Sequence, residues 1–178
     1  PMASLESSLQ KIKALAMDVD GCLTDGRIIY GDKNNELKCF DVKDGLGVAI
    51  AHNAGLITAI ITGRTSQAVA RRARELKIKD VFQGFSGKLA AWNEFKKRHD
   101  LRDEEIAYLG DDLLDLVLLQ RAGVSFAPAD ADAEVQSRVD IILQNGGGNG
   151  ALRETIERIL KGQGRWESIL QTYFESEK

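Results

Sequence analysis

The chain has only two cysteines, two histidines, no surplus of positive charge and no long apolar run. Each shortage excludes something. Cys22 and Cys39 do not form a Cys-x-x-Cys pair and read as reduced thiols; a disulfide between them is the less favoured alternative. The net charge of -3 gives no basic field for nucleic acid, so no nucleic-acid partner is expected. No apolar stretch is long enough to span a bilayer and no secretory signal is visible, so a cytoplasmic protein without a membrane partner is expected. His52 and His99 lie far in sequence from the acidic motifs at 18–20 and 111–115 and read as structural or surface residues. What is present is ordinary for a globular protein: 43% hydrophobic and 29% charged residues over 178 positions, enough for a core. Residues 1–178 are expected to form a single domain.

Apolar runs alternate with helical patterns, which predicts a parallel sheet covered on both faces. Strands are expected at about 14–18, 57–62, 80–83, 106–110, 124–127 and 140–143. Helices are expected at about 45–53, 66–76, 87–99, 113–122, 131–137 and 150–161. Arg27–Tyr30 and Glu36–Phe40 flank the loop 31–35 and read as a β-hairpin, about 26–40. Trp166, Ile169, Leu170, Tyr173 and Phe174 have the spacing of an amphipathic helix in a tail over about 162–178. The glycine run 145–150 could be a mere linker, and its Asn149 is assigned no binding role.

The chemistry concentrates where strands should end. Ala14–Met17 runs into Asp18-Val19-Asp20-Gly21. Side chains two apart in an extended segment share a face, and two anions there call for a cation or a shared proton. By itself this pattern is also a turn or a fragment of a calcium loop. Ile57–Thr62 ends in Thr62-Gly63-Arg64, with Thr65 or Ser66 placed to cap the next helix. Thr62 could bind a phosphate oxygen or serve the turn alone. Lys88 opens a helix against its dipole, a small local penalty of ~0.3–1 kcal/mol, unless it faces anions. Ile106–Leu109 runs into Gly110-Asp111-Asp112, with Asp115 four residues after Asp111. One of these three acids could be an ordinary helix cap; all three being caps is not expected.

These four segments, in this order, resemble the haloacid dehalogenase superfamily of phosphotransferases across nearly the whole chain. Asp18 to Gly26, Phe40-Asp41-Val42-Lys43-Asp44-Gly45-Leu46-Gly47, Ile60–Arg64 and Gly110–Asp112 resemble its small capless sugar-acid phosphatases. The resemblance implies a three-layer Rossmann-like α/β fold, with the β-hairpin as a flap in place of a cap domain. It implies Asp18 as nucleophile, forming an aspartyl-phosphate, and Asp20 as general acid and then base. It implies Thr62, Gly63, Arg64 and Lys88 around the phosphate and substrate. Magnesium would be held by Asp18, Asp111 and the backbone carbonyl of Asp20, with Asp112 and Asp115 as outer, metal-orienting residues. The implied substrate is a small sugar-acid phosphate, an eight-carbon keto acid first and a nine-carbon one second. A homotetramer joined through hairpins, and a place in surface-polysaccharide biosynthesis, are implied in the same way.

Other classes fit less well. A phosphate-receiver module carries its adjacent acidic pair on the first strand and its acceptor aspartate later; here the order is reversed. A non-catalytic assembly module would not need Asp18, Asp20, Thr62, Lys88 and Asp111 together. A phosphotransferring mutase needs a larger cap to keep water out.

Overall fold

A computed structural model describes residues 2–32, 35–85 and 87–176, with side chains from Leu5 onward. Six strands form one parallel sheet. They are β1 (Ala14–Met17), β4 (Ile57–Thr62), β5 (Asp80–Gln83), β6 (Ile106–Leu109), β7 (Val124–Ala127) and β8 (Ile141–Ile142), in the order β5-β4-β1-β6-β7-β8. All four residues of β1 are buried, as expected for the strand with a neighbour and a helix layer on every side.

Alternation along the strands sorts their side chains between two cores. Leu15, Met17, Ile60, Leu109 and Phe126 face one layer, which contains α2 (Val42–Asn53), α3 (Gln67–Glu75) and α7 (Ala151–Gly162). Ala14, Ala16, Ile61 and Tyr108 face the other, with Trp92 and Phe95 from α4 (Lys88–His99), Leu118 and Leu119 from α5 (Leu116–Leu119) and Val135 from α6 (Ala133–Gln136). The expected three-layer α/β arrangement is therefore present.

Several boundaries differ from expectation. A first helix, α1 (Met2–Lys11), was not read from the sequence; its Leu9 and the following Ile12 enter the core, and Leu5 packs against it. The spacing Leu5, Leu9, Ile12 carried that signal. Helix α2 starts at Val42, before the expected Gly45, because Asp41 caps it by accepting from the N–H of Lys43 and Asp44. The expected helix 113–122 is a 3-10 turn over Leu113–Asp115 followed by the short α5. The tail forms α8 (Trp166–Glu175), with Trp166 buried in the first core.

The hairpin is present but shorter: β2 (Ile29–Tyr30) pairs antiparallel with β3 (Glu36–Leu37). Gly31 N–H donates to the Asn35 carbonyl at 2.7 Å. The centre of the predicted loop, 33–34, and the final two residues of the tail lie outside the described residues. Both histidines take structural bonds, His52 with Thr58 and His99 with Asp80, each at 2.7 Å. Cys22 is buried and Cys39 exposed, and both are free thiols.

Candidate active site

The site lies beyond the carboxyl ends of the three central strands, where open α/β sheets bind ligands. Asp18 follows β1, and its N–H continues the ladder to the Leu109 carbonyl at 3.0 Å. The chain then folds tightly. The Val19 carbonyl accepts from the N–H groups of Cys22, Leu23 and Thr24 at 3.1, 2.8 and 3.1 Å. Gly21 makes this turn possible with φ +90. It also has no room for a side chain: a Cβ there would stand 1.9 Å from Asp111 Oδ2. The glycine of Asp-x-Asp-Gly is thus what lets the late acidic segment reach the first strand.

Three carboxylates converge. Asp18, Asp111 and Asp115 each offer an oxygen within 4.8 Å of the other two. Lys88, at the start of α4, enters between them with Nζ 2.8 Å from Asp18 Oδ2 and 2.6 Å from Asp115 Oδ1. Its side chain is 7% exposed, so this lysine is not a solvated surface cation. Burial works to lower its pKa, but Asp115 and Asp18 outweigh that and raise it.

Asp115 is fully buried, and its oxygens are already engaged. Oδ1 accepts from Lys88 and from the Tyr108 hydroxyl, both at 2.6 Å. Oδ2 accepts from the N–H groups of Asp111 and Asp112 at 3.0 and 3.2 Å. A carboxylate whose two oxygens each already accept two hydrogen bonds is poor as a metal ligand and effective as a brace. It holds Lys88 in place and aims Asp111. Asp112 is exposed and caps the 3-10 turn, accepting from Leu113 N–H at 2.7 Å.

Burial, then repulsion from Asp115, pushes Asp18 up to about 6 against the pull of Lys88. Burial, then Asp115 and Asp18, pushes Asp111 up to about 7. The cluster therefore carries more negative charge than Lys88 offsets. Three carboxylates and one ammonium leave a formal deficit of two positive charges when all are ionised. A divalent cation closes that gap, and magnesium suits carboxylate oxygens. Asp18 and Asp111 fit as its ligands because their oxygens are not saturated as those of Asp115 are.

Thr62 ends β4 and is buried, 3% exposed; Gly63 and Arg64 follow on the exposed rim. Ser66 occupies the N-cap position of α3, yet its side chain makes no capping bond. Its N–H instead donates to Gln83 Oε1 at 2.8 Å. Asp20 stands apart from the three clustered carboxylates. It meets Lys38 Nζ at 2.5 Å and Arg64 Nε at 3.6 Å. Lys38 was missed in the sequence, where a hairpin lysine has no mark that separates it from a solvated one.

The glycine run is not a linker. Gly148 N–H donates to the Cys22 carbonyl at 2.9 Å, and a Cβ on Gly147 would stand 2.0 Å from the Gly21 carbonyl oxygen. The run packs directly on the turn after β1. Asn149 folds back, its side-chain amide donating to the Gly147 carbonyl at 3.1 Å.

Comparison with known proteins agrees with this geometry. Residues 80–153 match the haloacid dehalogenase-like hydrolase model. The 3-deoxy-D-manno-octulosonate 8-phosphate phosphatase of Escherichia coli (strain B / BL21-DE3) is 38% identical over 92% of this chain and 87% of its own. That of Haemophilus influenzae is 39% identical over 94% and 93%. The structure of the Moraxella catarrhalis phosphatase of the same name, in complex with magnesium, phosphate and KDO, superimposes with a TM-score of 0.93 at 40% identity, covering 97% of this chain and 99% of that one. The chain belongs to the 3-deoxy-D-manno-octulosonate 8-phosphate phosphatase family of haloacid dehalogenase-like hydrolases.

Proposed function

We propose that this protein is a magnesium-dependent phosphatase that hydrolyses 3-deoxy-D-manno-octulosonate 8-phosphate. The observation that carries the reading is the convergence of Asp18, Asp111 and Lys88 at the ends of β1, β6 and the start of α4, braced by Asp115. The substrate follows from the relatives, whose similarity extends over nearly all of both chains.

In this mechanism Asp18 attacks phosphorus. A bond forms from its carboxylate oxygen, the bond from phosphorus to the sugar oxygen breaks, and Asp20 gives that oxygen a proton. Asp20 then takes a proton from water as the water oxygen attacks phosphorus and the Asp18 oxygen leaves, which releases inorganic phosphate. Thr62 and Lys88 hold the phosphoryl oxygens, and Gly63 lets them approach the strand end. Arg64 sits on the rim, within reach of the departing sugar acid. Asp18, Asp111 and the carbonyl of Asp20 would hold the cation, with Asp112 and Asp115 around them; when bound, magnesium supplies positive charge to phosphoryl oxygens. Phosphoryl transfer needs mainly positioning and charge stabilisation, and these residues supply both.

We further infer self-association through the hairpin, in a tetramer, with the chain acting as one domain. Ile28, Ile29, Tyr30, Leu37, Val42 and Leu46 are large, apolar and exposed on and beside it. No described helix is long and apolar enough to cross a membrane.

Phosphate release tests the reading. With magnesium, the eight-carbon sugar-acid phosphate should turn over faster than the nine-carbon one, and Asp18→Asn should reduce turnover to background with an unchanged melting curve. Faster turnover of the nine-carbon substrate would transfer the assignment to that compound. Appreciable activity in Asp18→Asn would remove Asp18 as nucleophile.

A further inference from the structure

Lys38 follows β3 directly, and its side chain is 1% exposed. Its ammonium lies 2.5 Å from Asp20 Oδ1 and 3.2 Å from Glu36 Oε1. Glu36 Oε2 in turn receives Arg64 Nη2 at 2.5 Å, and Arg64 Nε lies 3.6 Å from Asp20 Oδ2. The four residues close a ring of alternating charge. Two come from the hairpin, one from the loop after β1 and one from the loop after β4.

The placement of Lys38 is unfavourable in isolation. Burying a lysine freezes its long side chain and strips water from its charge. Among the described residues its ion-pair partners are Asp20 and Glu36 alone. The sheet core does not require it, since β2 and β3 form a separate two-stranded sheet. What it does secure is Asp20. That carboxylate follows the strand end instead of lying in it, and it stands outside the cluster that fixes Asp18, Asp111 and Asp115. A side chain in such a loop has several staggered rotamers open to it. Proton delivery tolerates little of that freedom, because donor and acceptor must come within hydrogen-bond reach of each other.

We propose that Lys38 is a positioning residue for the phosphatase reaction: its buried ammonium fixes the carboxyl of Asp20 for proton transfer to the leaving sugar oxygen, with Glu36 aiming the lysine. The inference rests on the phosphatase reading above. It makes the hairpin part of the catalytic apparatus of its own chain. Whatever shifts β3 shifts Lys38, and Asp20 with it.

The test compares two leaving groups. A sugar alcohol needs its proton delivered; p-nitrophenolate departs without one. Lys38→Met should lower the single-turnover rate of sugar release from 3-deoxy-D-manno-octulosonate 8-phosphate by roughly 10- to 100-fold, part of the ~10²–10⁴ that general acid–base catalysis contributes. On p-nitrophenyl phosphate the single-turnover rate of p-nitrophenolate release should fall by under about threefold; the first step is the one compared, because Asp20 also serves as base in the second step, which both substrates share. Lys38→Arg should restore part of the loss. In an Asp20→Asn background, Lys38→Met should add less than about twofold, because the group it positions is gone. Equal losses in first-turnover leaving-group release from both substrates, or full multiplication with Asp20→Asn, would overturn the proposal and leave the phosphatase reading standing. If Lys38→Met does not fold, Glu36→Gln loosens the same lysine, and the same ratio is read from it. Wild-type protein inactive on both phosphates with magnesium would overturn both readings.

Discussion

At the scale of single residues, the tightest constraint is at Gly21. Its φ of +90 and the 1.9 Å between a notional Cβ and Asp111 Oδ2 forbid any side chain. Gly21→Ala should cost about 1–2 kcal/mol of stability through backbone strain alone. The larger effect should fall on activity, because Asp111 must move. Phosphate release should drop at least about 100-fold, with a weaker response to magnesium, while a thermal melt still shows one cooperative transition. Near-normal turnover would show that Asp111 need not sit against the first loop. The positions of Asp18, Thr62 and Asp111 were legible in the sequence because each sits where an apolar run ends among glycines and acids, and that of Lys88 because it opens a helix against its dipole. Lys38 and the bracing action of Asp115 were not. Their meaning comes from burial and from partners 18 and 27 residues away, which no local pattern encodes.

At the scale of elements, α7 shows how one helix can be finished by another. Its N-cap is Gly150, which has no side chain to offer. Asp44, in α2, supplies the acceptor: Oδ1 takes the Arg153 N–H at 2.8 Å, while Oδ2 is buried without a hydrogen-bond partner. Burial pushes Asp44 from 3.8 up to about 6, against the Arg153 N–H. The folded protein thus keeps a proton there that the unfolded chain gives up earlier, and stability falls as pH rises through that window. Asp44→Asn should remove this component. Between pH 4 and 6 the melting temperature of the variant should decline less than that of the wild type, the free-energy gap growing to about 3 kcal/mol at most. Parallel curves would mean that Asp44 is ionised in the fold throughout. The glycine run could be taken for a linker because its contact with the turn after β1, from Gly148 N–H to the Cys22 carbonyl, joins positions more than 100 apart. Helix α5 was overestimated for a related reason. Asp115 turns its carboxylate back onto the N–H groups of Asp111 and Asp112, which tightens the first turn to 3-10 geometry.

At the scale of the whole molecule, a parallel sheet with helices on both faces followed from the alternation of apolar runs and helical patterns, and the structure agrees; the order of the strands was not read from the sequence. The hairpin is where a single chain is least self-sufficient. Two paired residues on each side make a marginal sheet, and Tyr30 is 79% exposed at its tip. Tyr30→Asp should shift the sedimenting species toward monomer at micromolar concentration and leave the melting of the α/β core nearly unchanged. A wild-type protein that sediments as monomer would remove the inferred assembly altogether.

The three strands that carry Asp18, Thr62 and Asp111 are immediate neighbours, in the order β4-β1-β6. Strand spacing in a sheet is a property of the backbone, ~4.8 Å per step whatever side chains are attached. The sheet thus serves as a ruler whose graduations no loop mutation can redraw. Selection for a new leaving group could rewrite the rim outside the ring of Asp20, Glu36, Lys38 and Arg64, while the spacing of Asp18 from Thr62 and Asp111 stayed out of reach of drift.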